Sequence, residues 1–149
     1  GPGCYCAANN MLRTIVDRMT KSYDWVVIDN EAGLEHLSRR TTRDVDVLLI
    51  VSDPTLRGIT TAGRVVELIG ELKTKIGKHY LIVNRVTGDL TPELQQAIVQ
   101  NKLNLVGTVP MDPLVAQYDA TGKPMVDLPA DSAVCVALRD IEGKILPQT

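Results

Sequence analysis

The sequence is poor in aromatic residues and has no long apolar segment. Its 149 residues include no Phe, one Trp and four Tyr, so a hydrophobic core must be built mainly from Val, Ile and Leu. No apolar run approaches the roughly 20 residues that a membrane-spanning helix needs, and no signal peptide opens the chain. We therefore expect a soluble globular protein with no membrane partner.

Neither sign of charge dominates, and cysteines are few. The formal net charge is −2 and the basic residues are scattered, which gives no electrostatic footprint for nucleic acid. The three cysteines, Cys4, Cys6 and Cys135, are an odd number without the spacing of a disulfide framework. This cysteine usage indicates a reducing, cytoplasmic location.

No Gly-x-x-x-x-Gly-Lys-Ser/Thr phosphate loop occurs in these residues. Gly58, Gly63 and Gly70 fall within a predicted helix, and Gly122-Lys123-Pro124 stands in the wrong context. A Ser-His-Asp catalytic set is not suggested either. We do not expect these residues alone to hydrolyse ATP, because the backbone amides and lysines of a phosphate loop dominate phosphoryl transfer.

Helical and strand patterns alternate along the chain. Apolar spacing predicts helices at about 7–21, 35–42, 59–76 (closed by Gly77), 92–102, a short one from 113, and one through 134–145. Predicted strands are 25–29, 45–51, 79–84 and 104–109. Ser52-Asp53-Pro54-Thr55 forms a turn, and Thr91-Pro92 and Asp112-Pro113 are typical helix starts. The continuously apolar strands indicate an α/β fold, a parallel sheet with helices on both faces.

The first predicted strand, Trp25 to Asp29, ends in a motif that suits a phosphate site. Gly33 follows Asp29 by four residues, and parallel α/β sheets bind ligands at the carboxyl ends of their strands. The Asp29 carboxylate would orient Mg²⁺ or its water, and Gly33 would let the backbone approach a terminal phosphate. A strand that simply ends in a polar turn is the commoner alternative.

Two later strand ends resemble a purine pocket. Asn84 ends the third predicted strand, and its amide both donates and accepts hydrogen bonds, as the N6 and N7 edge of adenine requires. The backbone after Pro110 can cover the other edge of the base. An isolated Asn in a strand-to-helix turn is the commoner alternative.

Cys4 and Cys6 place two thiols close together. Thiolates suit Zn²⁺ or Ni²⁺, but a complete site usually needs four ligands. Two chains related by a two-fold axis would supply four, whereas Cys135 lies on an apolar helix face and is expected in the core. Two unligated thiols in a reducing cytoplasm are the alternative.

These segments occur in an order that resembles a known family. The segments are GPGCYC from Gly1, DNEAGLEHLSRRT from Asp29, VSDPT from Val51, Asn84-Arg85, and VPMDP from Val109. Together they resemble the C-terminal part of the CooC-type proteins, nickel-handling ATPases that mature carbon monoxide dehydrogenase. CooC is similar to MinD, ParA and nitrogenase iron protein, all dimeric deviant-Walker P-loop ATPases.

The resemblance implies roles for two residues in catalysis and two in metal binding. Asp29 resembles the switch II aspartate that holds the magnesium shell, and Gly33 the switch II glycine near the γ-phosphate. Cys4 and Cys6 match the pair that binds Ni²⁺ or Zn²⁺ across the homodimer interface.

The resemblance also implies an adenine site and a nucleotide cycle. Asn84, followed by Arg85, would recognise the base, and the backbone of Pro110, Met111 and Asp112 would lie beside it. The implied cofactors are ATP or ADP with Mg²⁺, with ATP closing the dimer and hydrolysis opening it. The implied client is carbon monoxide dehydrogenase or an acetyl-CoA synthase complex, with no nucleic acid and no membrane involved.

The resemblance implies that residues 1–149 are a single incomplete P-loop ATPase domain, its C-terminal portion, because the family places its phosphate loop before the Cys pair. Two alternatives stay open. One is a short, non-catalytic metal-binding or regulatory module, and the other is a MinD/ParA-like ATPase with a different client. The Cys pair and the absence of a basic amphipathic C-terminal helix argue against a membrane-acting ATPase.

Overall fold

A computed structural model describes the chain at residues 11, 14, 15, 18, 19, 22–30, 44–72 and 75–146. These residues contain a parallel sheet of three strands, β1 (Asp44–Ser52), β2 (Lys75–Val86) and β3 (Leu105–Pro110), in the spatial order β1-β2-β3. Four helices follow or connect the strands: α1 (Leu56–Leu72), α2 (Pro92–Gln100), α3 (Pro113–Thr121) and α4 (Ala133–Ile145). A 3₁₀ turn, Met125–Asp127, lies between α3 and α4.

The parallel pairing brings the carboxyl ends of the three strands to one edge of the sheet. The β1–β2 ladder runs from Asp44 opposite Lys75 to Ser52 opposite Val83. The β2–β3 ladder is irregular, with shifts after Leu81 and again between Val83 and Val86, where Val86 lies opposite Pro110. The last residues of β1 and β3 therefore lie on either side of the end of β2.

Helices α1 and α2 cover one face of the sheet. Alternate strand residues such as Ile50, Leu81 and Val83 are buried beneath them, because successive side chains in a strand point to opposite faces. The helices contribute fully or largely buried residues to the same core: Ile59 and Ala62 from α1, and Leu94 and Ile98 from α2.

Helix α4 covers part of the other face. Ile141 of α4 is buried against Ile82 of β2 and Val109 of β3. A Cβ on Gly107 would lie 2.6 Å from Cγ1 of Ile141, so the absence of a side chain at Gly107 lets the helix sit close to β3. The predicted α/β fold, with a parallel sheet and helices on both faces, is confirmed.

The predicted helix starts are confirmed. Thr91 caps α2, its hydroxyl oxygen accepting from the Leu94 amide at 3.4 Å, and Pro92 occupies the first turn. Asp112 caps α3 in the same way, with its Oδ1 accepting from the Leu114 amide at 2.9 Å.

The predicted strand at 25–29 is wrong in this structure. Residues 25–30 have no regular secondary structure, and Val27 is 93% exposed. A strand exists only when its backbone hydrogen-bonds to a neighbour. Among the described residues, β1 pairs with β2 alone, so the apolar run from Trp25 to Ile28 stays outside the sheet.

The predicted C-cap at Gly77 is also wrong. Helix α1 ends at Leu72, and Gly77 lies in β2, where a Cβ would be 2.7 Å from the backbone oxygen of Asp46. The reason is tertiary: β1 begins at Asp44, and pairing with it extends β2 back to Lys75.

Two predicted helices fall partly or wholly outside the described residues. For the helix predicted at about 7–21, the described residues Met11, Thr14, Ile15, Arg18 and Met19 are helical. The helix predicted at 35–42 lies outside the described residues. Within the part of the chain that the structure describes, no helix combines the length and apolarity needed to cross a bilayer.

Candidate functional site

The carboxyl edge of the sheet brings together three of the sequence motifs. β1 ends at Ser52, β2 carries Asn84 and Arg85 near its end, and β3 leads into Met111 and Asp112. Open parallel sheets bind ligands at this edge. We refer to residues 84–85 and 110–112 together as the strand-end site.

Asn84 and Arg85 form an irregularity at the end of β2. Arg85 adopts a left-handed conformation with φ of 61°, unusual for a residue with a side chain. The Asn84 Oδ1 accepts a hydrogen bond from the Arg85 amide at 2.8 Å and so holds this turn of the backbone. Asn84 is half-buried and Arg85 is exposed. The side-chain amide of Asn84 is therefore held by this hydrogen bond and remains accessible to a ligand.

The adjacent strand end is tied directly to this irregularity. The Met111 amide donates to the Val86 carbonyl oxygen at 3.0 Å, and Pro110 lies opposite Val86 in the ladder. The Met111 side chain is 53% exposed. The backbone that was predicted to cover the base is therefore joined to Val86, two residues after the predicted base-recognising Asn84.

Asp112 makes contacts that its role as a helix cap does not require. Besides accepting from Leu114, its Oδ2 accepts from the Val134 amide in the first turn of α4 at 3.4 Å. One carboxylate thus joins the N-termini of α3 and α4, and the partial positive charge of both termini favours it. The side chain serves these helices, which leaves the backbone as the part of Asp112 available beside a base.

A third loop at the same edge was not assigned to a site from the sequence. The hydroxyl of Thr55 donates to Oδ1 of Asp53 at 2.8 Å and accepts from the Gly58 amide at 3.0 Å, which caps α1. A Cβ on Gly58 would collide with the Asp53 and Ser52 side chains. The Ser-Asp-Pro-Thr turn was visible in the sequence, but its position next to Asn84 follows only from the β1–β2 register.

The remaining predicted site residues lie in a segment without regular structure or outside the described residues. Asp29 is exposed, in a segment without regular structure. Gly33, Cys4 and Cys6 lie outside the described residues. Cys135 is a free, half-buried thiol in α4, less buried than the predicted core position. In the described part of the chain, no three His, Cys, Asp or Glu residues are grouped to hold a metal ion.

One carboxyl near this edge has a shifted pKa. Glu93 lies in the first turn of α2, and a hydrogen bond from its own backbone amide lowers its pKa from the ordinary value of 4.5. A hydrogen bond with the Thr91 side chain lowers it further. The charged form also suits the positive end of the helix.

Two proteins resemble the chain in sequence over most of its length. An uncharacterized ATP-binding protein of Methanocaldococcus jannaschii is 42% identical over 146 residues, covering 98% of this chain and 58% of that protein. CooC, the carbon monoxide dehydrogenase accessory protein of Rhodospirillum rubrum, is 34% identical over 131 residues, covering 86% of this chain and 48% of CooC. The chain thus spans about half the length of these relatives. No protein-family model matches it.

Solved structures show the same fold. MinD of Pyrococcus horikoshii in complex with Mg-ADP superposes with a TM-score of 0.70 at 20% identity, over 92% of this chain and 56% of that one. A ParA family ATPase from Chlorobium tepidum gives a TM-score of 0.72 at 20% identity, over 90% of this chain and 55% of that one. The predicted MinD-like P-loop NTPase fold is confirmed.

Proposed function

Because the chain is related in sequence and fold to the MinD/ParA-like P-loop ATPases, we propose that it forms the adenine-binding part of a CooC-like accessory protein. This protein handles nickel for carbon monoxide dehydrogenase or a related acetyl-CoA synthase complex and works as an ATP-dependent homodimer. The observation that carries the proposal is the strand-end site, in which Asn84 and the Pro110–Met111 backbone occupy adjacent strand ends.

The chemistry of the strand-end site fits an adenine base. The Asn84 Oδ1 uses one lone pair for the Arg85 amide and keeps the second for an exocyclic N–H such as adenine N6. The Asn84 Nδ2 can donate to N7. The exposed Met111 side chain offers an apolar, polarizable surface for one face of the ring.

We assign the phosphate end of the nucleotide to residues 29 and 33 on the basis of the CooC-like motif. Asp29 would hold the magnesium shell, and Gly33 would admit the γ-phosphate. Bound Mg-ATP would supply the phosphoryl chemistry of the cycle. The 149 residues contain no phosphate loop, so they are expected to bind the base without hydrolysing the nucleotide.

The metal cargo is assigned to Cys4 and Cys6. The relationship to CooC supports this assignment, as does the chemistry of two thiols two residues apart. Two copies of the chain would supply four thiolates for one Ni²⁺ or Zn²⁺ ion. A metal-binding module without catalysis is the second candidate, favoured by a sequence that carries the Cys pair but no phosphate loop.

Base recognition is tested by Asn84→Asp. The aspartate keeps an acceptor for the Arg85 amide but cannot donate to adenine N7, so adenosine affinity should fall about tenfold, the loss of one good hydrogen bond. The measurement is an NMR titration of the full chain with adenosine, guanosine, ADP and ATP. Asn104→Asp is the matched control, because Asn104 is an exposed Asn just before the opposite end of β3.

Two results would contradict the base-recognition proposal. One is an unchanged adenosine affinity in Asn84→Asp, and the other is equal binding of adenosine and guanosine by the wild type. ATP and adenosine should bind the wild type with similar affinity, since these residues hold no phosphate loop.

Metal binding is tested by changing Cys4 and Cys6 to Ser together. We expect the wild type to bind one Ni²⁺ or Zn²⁺ per two chains, and the double variant to bind none, because serine hydroxyls are poor ligands for these ions. Equilibrium dialysis with metal analysis gives the stoichiometry. Cys135→Ser is the control and should bind like the wild type, and metal retained by the double variant would refute the assignment.

A further inference from the structure

We propose that the Asp112 carboxylate is a positioning group for the adenine site: it joins the N-termini of α3 and α4 and thereby fixes the Pro110–Met111 backbone against the end of β2, two residues after Asn84. The proposal rests on the proposed adenine-binding function. Asp112 acts through the backbone next to it and through α4, without contacting the base through its side chain.

The two oxygens of Asp112 serve two different helices. Oδ1 accepts from the Leu114 amide at 2.9 Å, the ordinary cap of α3. Oδ2 accepts from the Val134 amide at 3.4 Å, 22 residues away along the chain. The side chain is half-buried, which limits competition by water for these bonds.

The bond to Val134 is an addition to a helix that already has a cap. The Ser132 hydroxyl accepts from the Cys135 amide at 3.3 Å, and the Ser132 carbonyl accepts from the Val136 amide at 3.0 Å. Helix α4 can therefore start without Asp112. What Asp112 adds is a link between α4 and the end of β3.

That link completes a chain of contacts that reaches Val86, two residues after Asn84 in β2. Helix α4 is fixed against the middle of β3 by Ile141 packing over Gly107. At the end of β3, Met111 hydrogen-bonds to Val86, two residues after Asn84. Asp112 connects these two attachments, so losing its Oδ2 bond would free the residues after Pro110 to shift relative to the Asn84 amide.

The test compares Asp112→Asn with Asp112→Ala in the full chain. An asparagine keeps an oxygen for the Leu114 amide, but an NH₂ in place of Oδ2 cannot accept from Val134. Asparagine is also as good a helix cap as aspartate, so this variant should fold even if Asp112→Ala does not. We expect the ratio of guanosine to adenosine dissociation constants to fall about tenfold in both variants, equivalent to 1.4 kcal/mol.

Thr91→Ala is the matched control. It removes the side-chain cap of α2, which, like α3, begins with a capping residue followed by proline but lies outside the strand-end site. This change should lower stability and leave the ratio of guanosine to adenosine dissociation constants unchanged. Amide hydrogen exchange gives an independent reading of the link. Exchange at Val134 should become faster in Asp112→Asn, whereas exchange at Cys135, which Ser132 caps, should not.

The outcomes distinguish a failure of the proposed adenine-binding function from a failure of the positioning role of Asp112. A wild type that does not prefer adenosine refutes the proposed function, and the exchange rates still report whether the link exists. An unchanged ratio in Asp112→Asn together with faster Val134 exchange overturns the positioning role. A reduced ratio with unchanged Val134 exchange overturns it as well, because Asp112 would then act by direct contact.

Discussion

Gly107 provides a quantitative test of how α4 is seated on the sheet. A Cβ at this position would lie 2.6 Å from Cγ1 and 3.0 Å from Cδ1 of Ile141, whereas carbon atoms in contact are normally about 3.5–4.0 Å apart. The overlap is therefore close to 1 Å. Ile141 is 3% exposed and packs in one buried cluster with Ile82 and Val109, so it cannot rotate away without disturbing them.

Gly107→Ala should destabilise the protein by about 1–3 kcal/mol, the usual cost of overpacking a core. Urea unfolding followed by circular dichroism measures the change in the free energy of unfolding. The double-mutant cycle with Ile141→Ala locates the cause. Truncating Ile141 removes both clashing carbons and leaves only its Cβ, 4.0 Å away, so Gly107→Ala should then cost nothing measurable.

Gly143→Ala is the matched control within α4. A Cβ there would meet nothing within 4 Å, so this change should stabilise the helix by roughly 0.5–1 kcal/mol. A cost for Gly107→Ala below about 0.5 kcal/mol, the range of ordinary surface changes, would refute the clash with Ile141, and so would an equal cost in the Ile141→Ala background.

Three further results are expected. Gly77→Ala should lower the free energy of unfolding by about 1–3 kcal/mol in urea, because its Cβ would lie 2.7 Å from the Asp46 backbone oxygen. Gly70→Ala is the control and should not destabilise the protein, because a Cβ at Gly70 meets nothing within 4 Å. Equal effects of the two changes would contradict the assignment of Gly77 to β2. The lowered pKa of Glu93 means that its charge stabilises the folded state above pH 4.5 and that this is lost as the pH falls through the folded pKa. The unfolding midpoint of Glu93→Gln should therefore fall less than that of the wild type as the solution is acidified. If both midpoints fall equally, the hydrogen bonds from the Glu93 amide and Thr91 have no effect on stability. The purified 149 residues should release no phosphate from Mg-ATP, and steady magnesium-dependent release would contradict the role given to the missing phosphate loop.

Some features of this protein could be predicted from short stretches of sequence. The starts of α2 and α3 are examples, because Thr91-Pro92 and Asp112-Pro113 carry the cap and the first-turn proline within two residues. The strand at 45–51 was also predicted correctly, because a continuous, β-branched apolar run is typical of a strand in a parallel sheet.

Other features depended on which segments are neighbours in space. The apolar run from Trp25 has the composition of a strand, but composition supplies no pairing partner, and the segment lies outside the sheet of the described residues. Gly77 has the appearance of a helix C-cap, yet it belongs to β2 because β1 pairs back to Lys75. Hydrogen bonds between strands join residues far apart in sequence, so no local pattern reports them.

The candidate site divides in the same way. The sequence alone predicted Asn84 and the segment from Pro110 as candidate base contacts, because an amide at a strand end and a proline after an apolar strand are local signals. Only the tertiary structure showed that Met111 is tied to Val86, that Arg85 has a left-handed backbone, and that Asp112 reaches the start of α4. The physical reason is that local propensity and capping act within a few residues, whereas a binding site forms where distant strand ends and helix termini meet.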